Sequence, residues 1–266
     1  VNLGISRLPF LGQQLCHLTL RFRTRKALPW AEAGHEVAWE QFEIPWKAGP
    51  APKPKGRKKL IPAPVELVQD DRRATVSTGD LEITVHKWRG TVASMRWRGE
   101  EILASAPELN TWRGPTDNDT FQATPGITPA PKAQWLAWGL DEIALTPLDC
   151  SVRAQRDGNV RIRCLQIAQA RNTEDSEEHR IQHLQQWIVN PGGWIAFNNE
   201  IRIGAGLVDL PRVGIHFETT RGFERLDWFG RGPHESYWDR KAGAAMGRHE
   251  SSVDDLYHRY VVPQEN

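Results

Sequence analysis

The sequence has few cysteines, no long apolar run and almost no net charge. Its three cysteines, at positions 16, 150 and 164, lack CxxC spacing, so we expect reduced, buried thiols rather than a disulfide framework or a zinc site. No stretch approaches the roughly 20 apolar residues of a membrane span. The net charge of +1 argues against nucleic acid or a membrane surface as the main partner.

The sequence also lacks an N-terminal leader. It begins at Val1 without methionine and without a basic segment followed by an apolar one, so no signal peptide is visible. Together with the scarcity of cysteine, this predicts a cytoplasmic protein. Strand-like runs lie close to both ends, and we therefore expect the sequence to be a segment of a longer polypeptide.

The composition is otherwise that of a globular protein, with one outlier. Hydrophobic residues make up 39% and charged residues 25% of the chain, which is typical of a folded domain. The outlier is tryptophan, which occurs 12 times. Taken singly, each indole is expected in the core; as a set, they mildly favour a carbohydrate-related β-protein because indoles also stack on sugar rings.

The first 46 residues contain two segments that alternate apolar and polar residues. Leu15–Arg23 and Glu36–Pro45 follow the period of two that half-buried strands show. Two strands do not form a domain by themselves. We therefore interpret residues 1–46 as the last strands of a β-sandwich.

Residues 47–64 form a linker rich in proline and lysine. Proline fixes φ and lacks the backbone donor that a strand needs, so this segment cannot join a sheet. Its basic cluster is short, lies in a near-neutral chain and contains no stacking aromatics among its charges. A nucleic-acid site is therefore not predicted here.

Short strands and tight turns dominate the chain from Val65 onward. Strands are predicted over Arg73–Ser77, Leu81–Val85, Thr91–Trp97, Glu101–Leu103, Val160–Cys164, Gln182–Val189 and Trp194–Ile203. A short helix is predicted only within Lys132–Ile143. Strands at intervals of roughly 8–12 residues indicate an all-β sandwich rather than βαβ units.

Two segments combine ionic residues with turn-forming residues. The first is Asn110–Asp119, in which Arg113, Asp117, Asn118 and Asp119 are crowded together. Such residues can form a self-bonded polar turn, or they can bind a metal ion or sugar hydroxyls. The ligand number is small for a hard cation, and the glycine precedes the acids, unlike in a calcium loop, which favours the structural alternative.

The second segment is Trp228–Arg240, which interleaves aromatic rings and paired glycines with Glu235, Tyr237, Asp239 and Arg240. This mixture predicts a rigid, partly buried polar loop. His234 lies inside it, but an acid/base role for that residue is not expected. The other histidines are scattered, and the pair His179 and His183 runs into a strand-like segment.

These segments resemble the C-terminal part of glycoside hydrolase family 2 β-galactosidases. The resemblance covers nearly the whole chain except the linker, because Trp30–Gln41 also resembles the last strands of the family's immunoglobulin-like domain. Three family motifs occur in the family's order. They are carried by Arg113, Pro115, Asp117, Asn118 and Asp119, then by Trp228, Gly230, Gly232, Pro233, Glu235, Tyr237, Asp239 and Arg240, and last by Tyr260, Val261, Pro263, Glu265 and Asn266.

The resemblance implies a retaining glycosidase whose acid/base and nucleophilic glutamates lie on a (β/α)₈ barrel that precedes this segment. No catalytic residue is therefore expected in this chain, and the segment alone is expected to be inactive. Possible substitute pairs are Glu100/Glu101, Asp117/Asp119, Glu235/Asp239 and Asp254/Asp255. None is predicted to be catalytic, and Glu235, Asp239 and Arg240 are expected to brace the sandwich edge.

The resemblance further implies that residues 65–266 form a large, twisted, galactose-mutarotase-like sandwich of carbohydrate-binding kinship. It would shape the substrate cleft and supply a mobile loop, here placed at Thr120, Phe121, Gln122, Ala123 and Thr124. The family has glycine at the position of Phe121. Since phenylalanine lacks glycine's freedom of φ, any hinge is expected elsewhere, for example at Gly126.

The expected partners are the rest of the β-galactosidase polypeptide with its barrel, a galactoside substrate and further copies of the same protein. No metal or cofactor is expected on this segment; the resemblance implies magnesium and sodium for the whole enzyme, with ligands mostly outside this chain. Two alternatives stay open. One is a free-standing carbohydrate-binding module, and the other is the small subunit of a split β-galactosidase.

Overall fold

The computed structural model describes residues 16–44, 63–116, 118–121, 126, 129–234 and 238–257, with the side chains of 238 and 239 left aside. Antiparallel strands dominate these residues. The strands are β1 Cys16–Arg23, β2 Glu36–Ile44, β3 Glu66–Gln69, β4 Arg73–Thr78, β5 Leu81–His86, β6 Thr91–Trp97, β7 Glu100–Glu101, β8 Glu108–Asn110, β9 Ile143–Ala154, β10 Val160–Ala170, β11 Arg180–Val189, β12 Ile195–Ile203, β13 Gly214–His216, β14 Arg225–Gly232 and β15 Ala245–Ser252. The helices are α1 Pro131–Trp138 and α2 Val253–Leu256, with 3-10 turns at Asn118–Thr120 and Trp238–Gly243.

The contacts divide the chain into two compact units. Of the described residues, those within 1–60 and 225–257 form the first unit, and those within 61–224 form the second. The first unit therefore joins two segments that are far apart in sequence. The predicted boundaries at residues 46, 64 and 266 stay a prediction.

Two antiparallel strand pairs, β1–β2 and β14–β15, build the first unit. One side chain links them. The Gln41 side-chain amide donates to the Met246 carbonyl at 2.9 Å and accepts from the Met246 N–H at 2.8 Å. Gln41 also donates to Thr19 Oγ1 on the neighbouring strand. The amide thus replaces a peptide group of a sheet ladder between β2 and β15.

The second unit is a sandwich of two sheets. One sheet has the strand order β3-β4-β5-β6-β7, the other has the order β12-β11-β10-β9, and β13 pairs separately with β8. A shared cluster of buried residues lies between the two larger sheets, including Ile83 and Val85 from one and Ile162 and Val189 from the other. The prediction of an all-β sandwich is confirmed.

Strict alternation fixes which face of β10 is buried. Along Val160–Ala170, every second residue from Val160 onward is buried. Its direct partners on β11 follow the same rule, and Ile162 lies opposite Trp187. Trp187 in turn stacks on Phe197 of β12 with ring centroids 3.8 Å apart. Since successive side chains of a strand point to opposite faces, this pattern sets the register of the sheet.

The predicted helix is present but shorter than expected. Proline at the first position suits a helix start, because its missing N–H would have no intrahelical partner there. The helix ends at Gly139, which has φ +74° and donates to the Leu136 carbonyl. Ile143 instead opens β9. The periodicity of the sequence did not predict this helix end, which depends on a glycine in the left-handed conformation.

Cys150 and Cys164 are direct cross-strand partners on β9 and β10, with their Cα atoms 4.2 Å apart. The expectation of reduced thiols stays a prediction. Another expectation about side chains was wrong. The expectation that each tryptophan lies in the core fails at several positions. Trp135 and Trp187 are buried, whereas Trp30, Trp88, Trp97 and Trp194 are exposed. No helix among the described residues is long and apolar enough to cross a membrane.

Candidate functional site

Arg113 and Asp119 form a two-pronged ion pair at the first ionic motif. One guanidinium nitrogen lies 2.6 Å from Asp119 Oδ2 and the other lies 2.9 Å from Oδ1. The Thr116 N–H and hydroxyl also donate to Oδ2, at 2.7 and 3.1 Å. Asp119 is only 8% exposed. Both carboxylate oxygens are therefore occupied by donors from the same turn.

These donors set the ionisation of Asp119. Burial acts to raise the pKa of this carboxyl, but hydrogen bonds from Arg113 and Thr116 and the charge of Arg113 outweigh burial, so the pKa lies below its ordinary value. A carboxylate held ionised in this way is a poor proton donor. The geometry supports the structural interpretation of the turn over a metal-binding or acid/base one.

The Arg113 side chain also fixes a distant loop. Its Nε donates to the Pro211 carbonyl at 3.0 Å, and its guanidinium carbon lies 5.1 Å from the ring centroid of Trp135. The Trp135 indole N–H donates to the Asp209 carbonyl at 2.6 Å. Arginine and tryptophan therefore attach the turn to helix α1 and to residues 209–211.

The predicted mobile loop is only partly described. Thr120 ends the 3-10 turn, and Phe121 follows it with 68% of its surface exposed. Gln122, Ala123 and Thr124 lie outside the described residues, as does Asp117 of the motif. Gly126 has φ +78°, a conformation that favours glycine. The assignment of this loop to the substrate cleft stays a prediction.

The second ionic motif begins as a strand rather than as a loop. Trp228 to Gly232 belong to β14, where Gly232 lies opposite Ala245. A Cβ on Gly232 would meet the His249 ring at 2.7 Å, so this position requires glycine. Gly232 of the motif therefore reflects close packing of a strand pair.

Arg231 and His234 brace the turn after β14. Arg231 donates to the carbonyls of Lys241 and Ala244 at 2.8 and 3.0 Å, and His234 Nε2 donates to the Gly243 carbonyl at 3.1 Å. Neither residue was predicted as a brace, because the sequence alone does not show which backbone carbonyls a polar side chain will bind.

The residues predicted to brace this turn are only partly placed. Glu235 and Tyr237 lie outside the described residues, as does the side chain of Asp239, and Arg240 is half-buried in the 3-10 turn. Their bracing role stays a prediction.

The other acidic pairs also have structural partners. Glu101 accepts from the Ser94 hydroxyl and from the Met95 and Leu103 N–H groups, and Asp255 bonds with Ser252 at the start of α2. Burial acts to raise the pKa of the Glu101 carboxyl, but these hydrogen bonds hold it below its ordinary value. Within the described residues, no three His, Cys, Asp or Glu side chains form a group that could hold a metal ion.

Comparisons with known proteins match both parts of the chain. A family model described as "Beta galactosidase small chain" matches residues 77–266, and one described as "Beta-galactosidase, domain 4" matches residues 4–45. Similar curated proteins named β-galactosidase occur in Priestia megaterium, with 29% identity over 93% of this chain, and in Vibrio cholerae, with 26% identity over 100%. The chain spans 22% and 25% of the length of these two relatives.

Proposed function

The chain belongs to the β-galactosidase small-chain family, and from this membership we propose that it is the accessory C-terminal part of a longer β-galactosidase. In the proposed enzyme, terminal non-reducing β-galactose residues are hydrolysed by two glutamates on a separate barrel. The observation that carries the proposal is that two β-galactosidase family models match successive parts of this chain. The chain spans about a quarter of the length of a similar β-galactosidase.

The site geometry supports an accessory role. A retaining glycosidase needs two carboxyl groups about 5–5.5 Å apart on either side of the scissile bond, one of which must be able to donate a proton. Here Asp119 is held ionised by Arg113 and Thr116, and Glu101 by Ser94 and backbone donors. These groups stabilise turns instead of meeting a substrate. The proposed contribution of this chain is therefore the shape of the cleft and the attachment of its loops.

A complementation experiment tests the proposal. The purified 266-residue chain should not hydrolyse nitrophenyl β-galactoside, and adding a barrel-containing β-galactosidase segment that lacks its own C-terminal part should restore turnover. The test variant is Asp119→Asn, which breaks the buried ion pair with Arg113. Its matched control is Asp149→Asn, which breaks the exposed ion pair with Arg163. We expect only the first variant to weaken complementation.

Turnover by the isolated chain, or failure of the wild-type chain to complement, would contradict the proposal. A second candidate, the small subunit of a split enzyme, is favoured by the description of the matching family as a small chain. The denatured polypeptide mass in a cell extract separates the two: a chain of about four times this length supports the accessory segment, and a separate polypeptide of about this length supports the split enzyme.

Several further expectations belong to this proposal. The magnesium and sodium of the whole enzyme would be bound mostly by residues outside this segment, and the whole enzyme would assemble from several copies in the cytoplasm. Metal analysis of the purified chain beside the complemented enzyme, sedimentation of that enzyme and cell fractionation test these points separately.

A further inference from the structure

A cleft of about 510 Å³ lies within the first unit, between β2 and the end of the β14–β15 pair. This volume lies in the range of small-ligand sites in proteins. The lining residues are His17, Trp39, Glu40, Gln41, Glu43, Arg231, Ala242, Ala244 and Met246.

The middle of the cleft is held rigidly. The amide of Gln41 makes two hydrogen bonds with the Met246 peptide and a third with Thr19. On the other side, Arg231 is fixed by the carbonyls of Lys241 and Ala244. A site whose groups are already held in place loses little conformational entropy when a ligand binds.

Strand geometry places the side chains along the cleft. Trp39 and Glu43 lie two residues on either side of Gln41 and therefore on the same face of β2, about 13 Å apart at the usual strand rise. His17 is the direct cross-strand partner of Glu43 and shares this face. The cleft thus has an indole at one end of β2 and an imidazole beside a carboxylate at the other.

The chemistry of these groups fits a polyhydroxylated ligand. An indole packs against the apolar C–H face of a sugar ring, while carboxylate, imidazole and guanidinium groups form hydrogen bonds with hydroxyls. The carboxylate of Glu43 disfavours an anionic ligand, and the guanidinium of Arg231 opposes a cationic one. Ala242 and Ala244 leave room for a ring at the opposite wall.

A second cleft in the other unit lacks this combination. It measures about 330 Å³ and is lined in part by Trp88, Asp71 and Asp149. The Trp88 indole is already stacked on His86, with ring centroids 6.2 Å apart, and Arg89 lies 4.7 Å from its ring centroid. Protein groups therefore already contact the ring surface of this indole.

We propose that the cleft between β2 and β15 binds a neutral oligosaccharide, with two linked sugar rings lying along β2. Trp39 stacks on one ring, and His17, Glu43 and Arg231 form hydrogen bonds with hydroxyls. This proposal goes beyond the accessory function above, because it gives the chain a sugar-binding site of its own.

Titration calorimetry of the 266-residue chain with lactose and with cellobiose tests this proposal. We expect saturable binding of at least one disaccharide with a Kd on the order of 1 mM. Trp39→Ala should weaken it roughly tenfold through the lost stacking surface, and Glu43→Gln should weaken it less. Ala242→Phe should block the cleft without removing a hydrogen bond, because Ala242 is exposed. Trp194→Ala, which removes an indole that is 78% exposed and outside the cleft, should bind like the wild type.

Several outcomes would overturn the proposal. They are the absence of saturation up to about 50 mM of either disaccharide, an equal loss in Trp194→Ala, unchanged binding in Ala242→Phe, or tighter binding of inorganic phosphate than of either sugar. Circular dichroism of each variant separates a lost contact from a lost fold, and Glu43→Gln and Ala242→Phe preserve the test if Trp39→Ala unfolds. Complementation of a barrel segment is a different measurement, so either proposal can fail without the other.

Discussion

Single ionic residues in this chain act mainly through their partners. Asp119 illustrates this because its two oxygens accept from Arg113 and Thr116 while the residue is almost fully buried. Its lowered pKa means that its contribution to stability is present above the ordinary value of 3.8 and is lost as the pH falls through the lower value of the folded state.

Replacing Asp119 by asparagine should therefore destabilise the second unit. The variant leaves the guanidinium of Arg113 without its partner charge, and we expect a loss of about 3 kcal/mol in the free energy of unfolding. Urea denaturation at pH 7 measures it. Asp149→Asn, at an exposed ion pair, should cost less than about 1 kcal/mol. Equal effects of the two variants would contradict the assigned role of Asp119.

His183 should make stability depend on pH near neutrality. It is fully buried in β11, and burial lowers the pKa of its imidazole below the ordinary value of 6.5, although a hydrogen bond with Asn199 opposes this. Below about pH 6.5 the unfolded chain binds a proton that the folded chain resists, so stability should decrease as the pH falls. Thermal melts should show that the melting temperature falls less between pH 7.5 and pH 5 in His183→Gln than in the wild type. The exposed His216→Gln variant should retain the wild-type slope.

At the level of secondary-structure elements, side chains and glycines decide where strands meet and helices end. Gln41 joins β2 to β15, and Gly139 ends α1 so that β9 can begin. Neither role follows from hydrophobic periodicity. Gln41 has the same polarity as any exposed strand residue, and its partner Met246 lies 205 positions away.

Gln41→Ala should loosen the link between the two strand pairs. It removes both bonds with the Met246 peptide, and we expect a cost of about 1–3 kcal/mol for the groups left without partners. Hydrogen exchange of the Met246 amide should accelerate markedly. Gln155→Ala, which removes a longer, solvent-exposed hydrogen bond to the Arg153 carbonyl, serves as the control. Unchanged exchange at Met246 would contradict the role given to Gln41.

Gly139→Ala should destabilise the junction between α1 and β9. The new Cβ would lie 2.9 Å from the Arg171 Cβ, and φ is +74°. Gly99→Ala provides a matched comparison, because φ is +84° there but nothing lies within 4 Å of the new atom. We expect about 1–2 kcal/mol at Gly99 from the left-handed conformation and a larger loss at Gly139, measured by urea denaturation. A smaller loss at Gly139 would show that the crowding is relieved by local movement.

For the whole molecule, sequence analysis predicted the fold class well and the long-range contacts poorly. The predicted strand Leu81–Val85 matches the observed β5, in which every second residue is buried, because a period-two pattern is a local property of the chain. The grouping of β14 and β15 with β1 and β2, the cleft between β2 and β15 and the donors around Asp119 depend on contacts that no local pattern encodes. Only the closeness of Arg113 to Asp119 was visible, since the two are six positions apart.

The shared core of the sandwich should make its two sheets unfold together. Ile83 comes from one sheet and Ile162 from the other, and both are fully buried. Alanine at either position should lower the free energy of unfolding by about 2–5 kcal/mol. In both variants the second unit should unfold in a single transition with a lower midpoint, whichever sheet carries the substitution. Val68→Ala, at a residue that is 73% exposed, should change the free energy of unfolding by less than about 0.5 kcal/mol. Two separate transitions that respond to different variants would contradict a common core.

The Gln41 link also determines where the chain can tolerate insertions. The loop between β1 and β2 is closed by its own hydrogen bonds from Thr24 to His35 and from Gly34 to Thr24, so extra residues at its tip leave both strands in place. One extra residue within β2 before Gln41 would turn the amide to the opposite face, and two would displace it along the strand by about 6.6 Å. Changes in length during evolution should therefore accumulate at the tip of this hairpin and be excluded from the strand that carries Gln41.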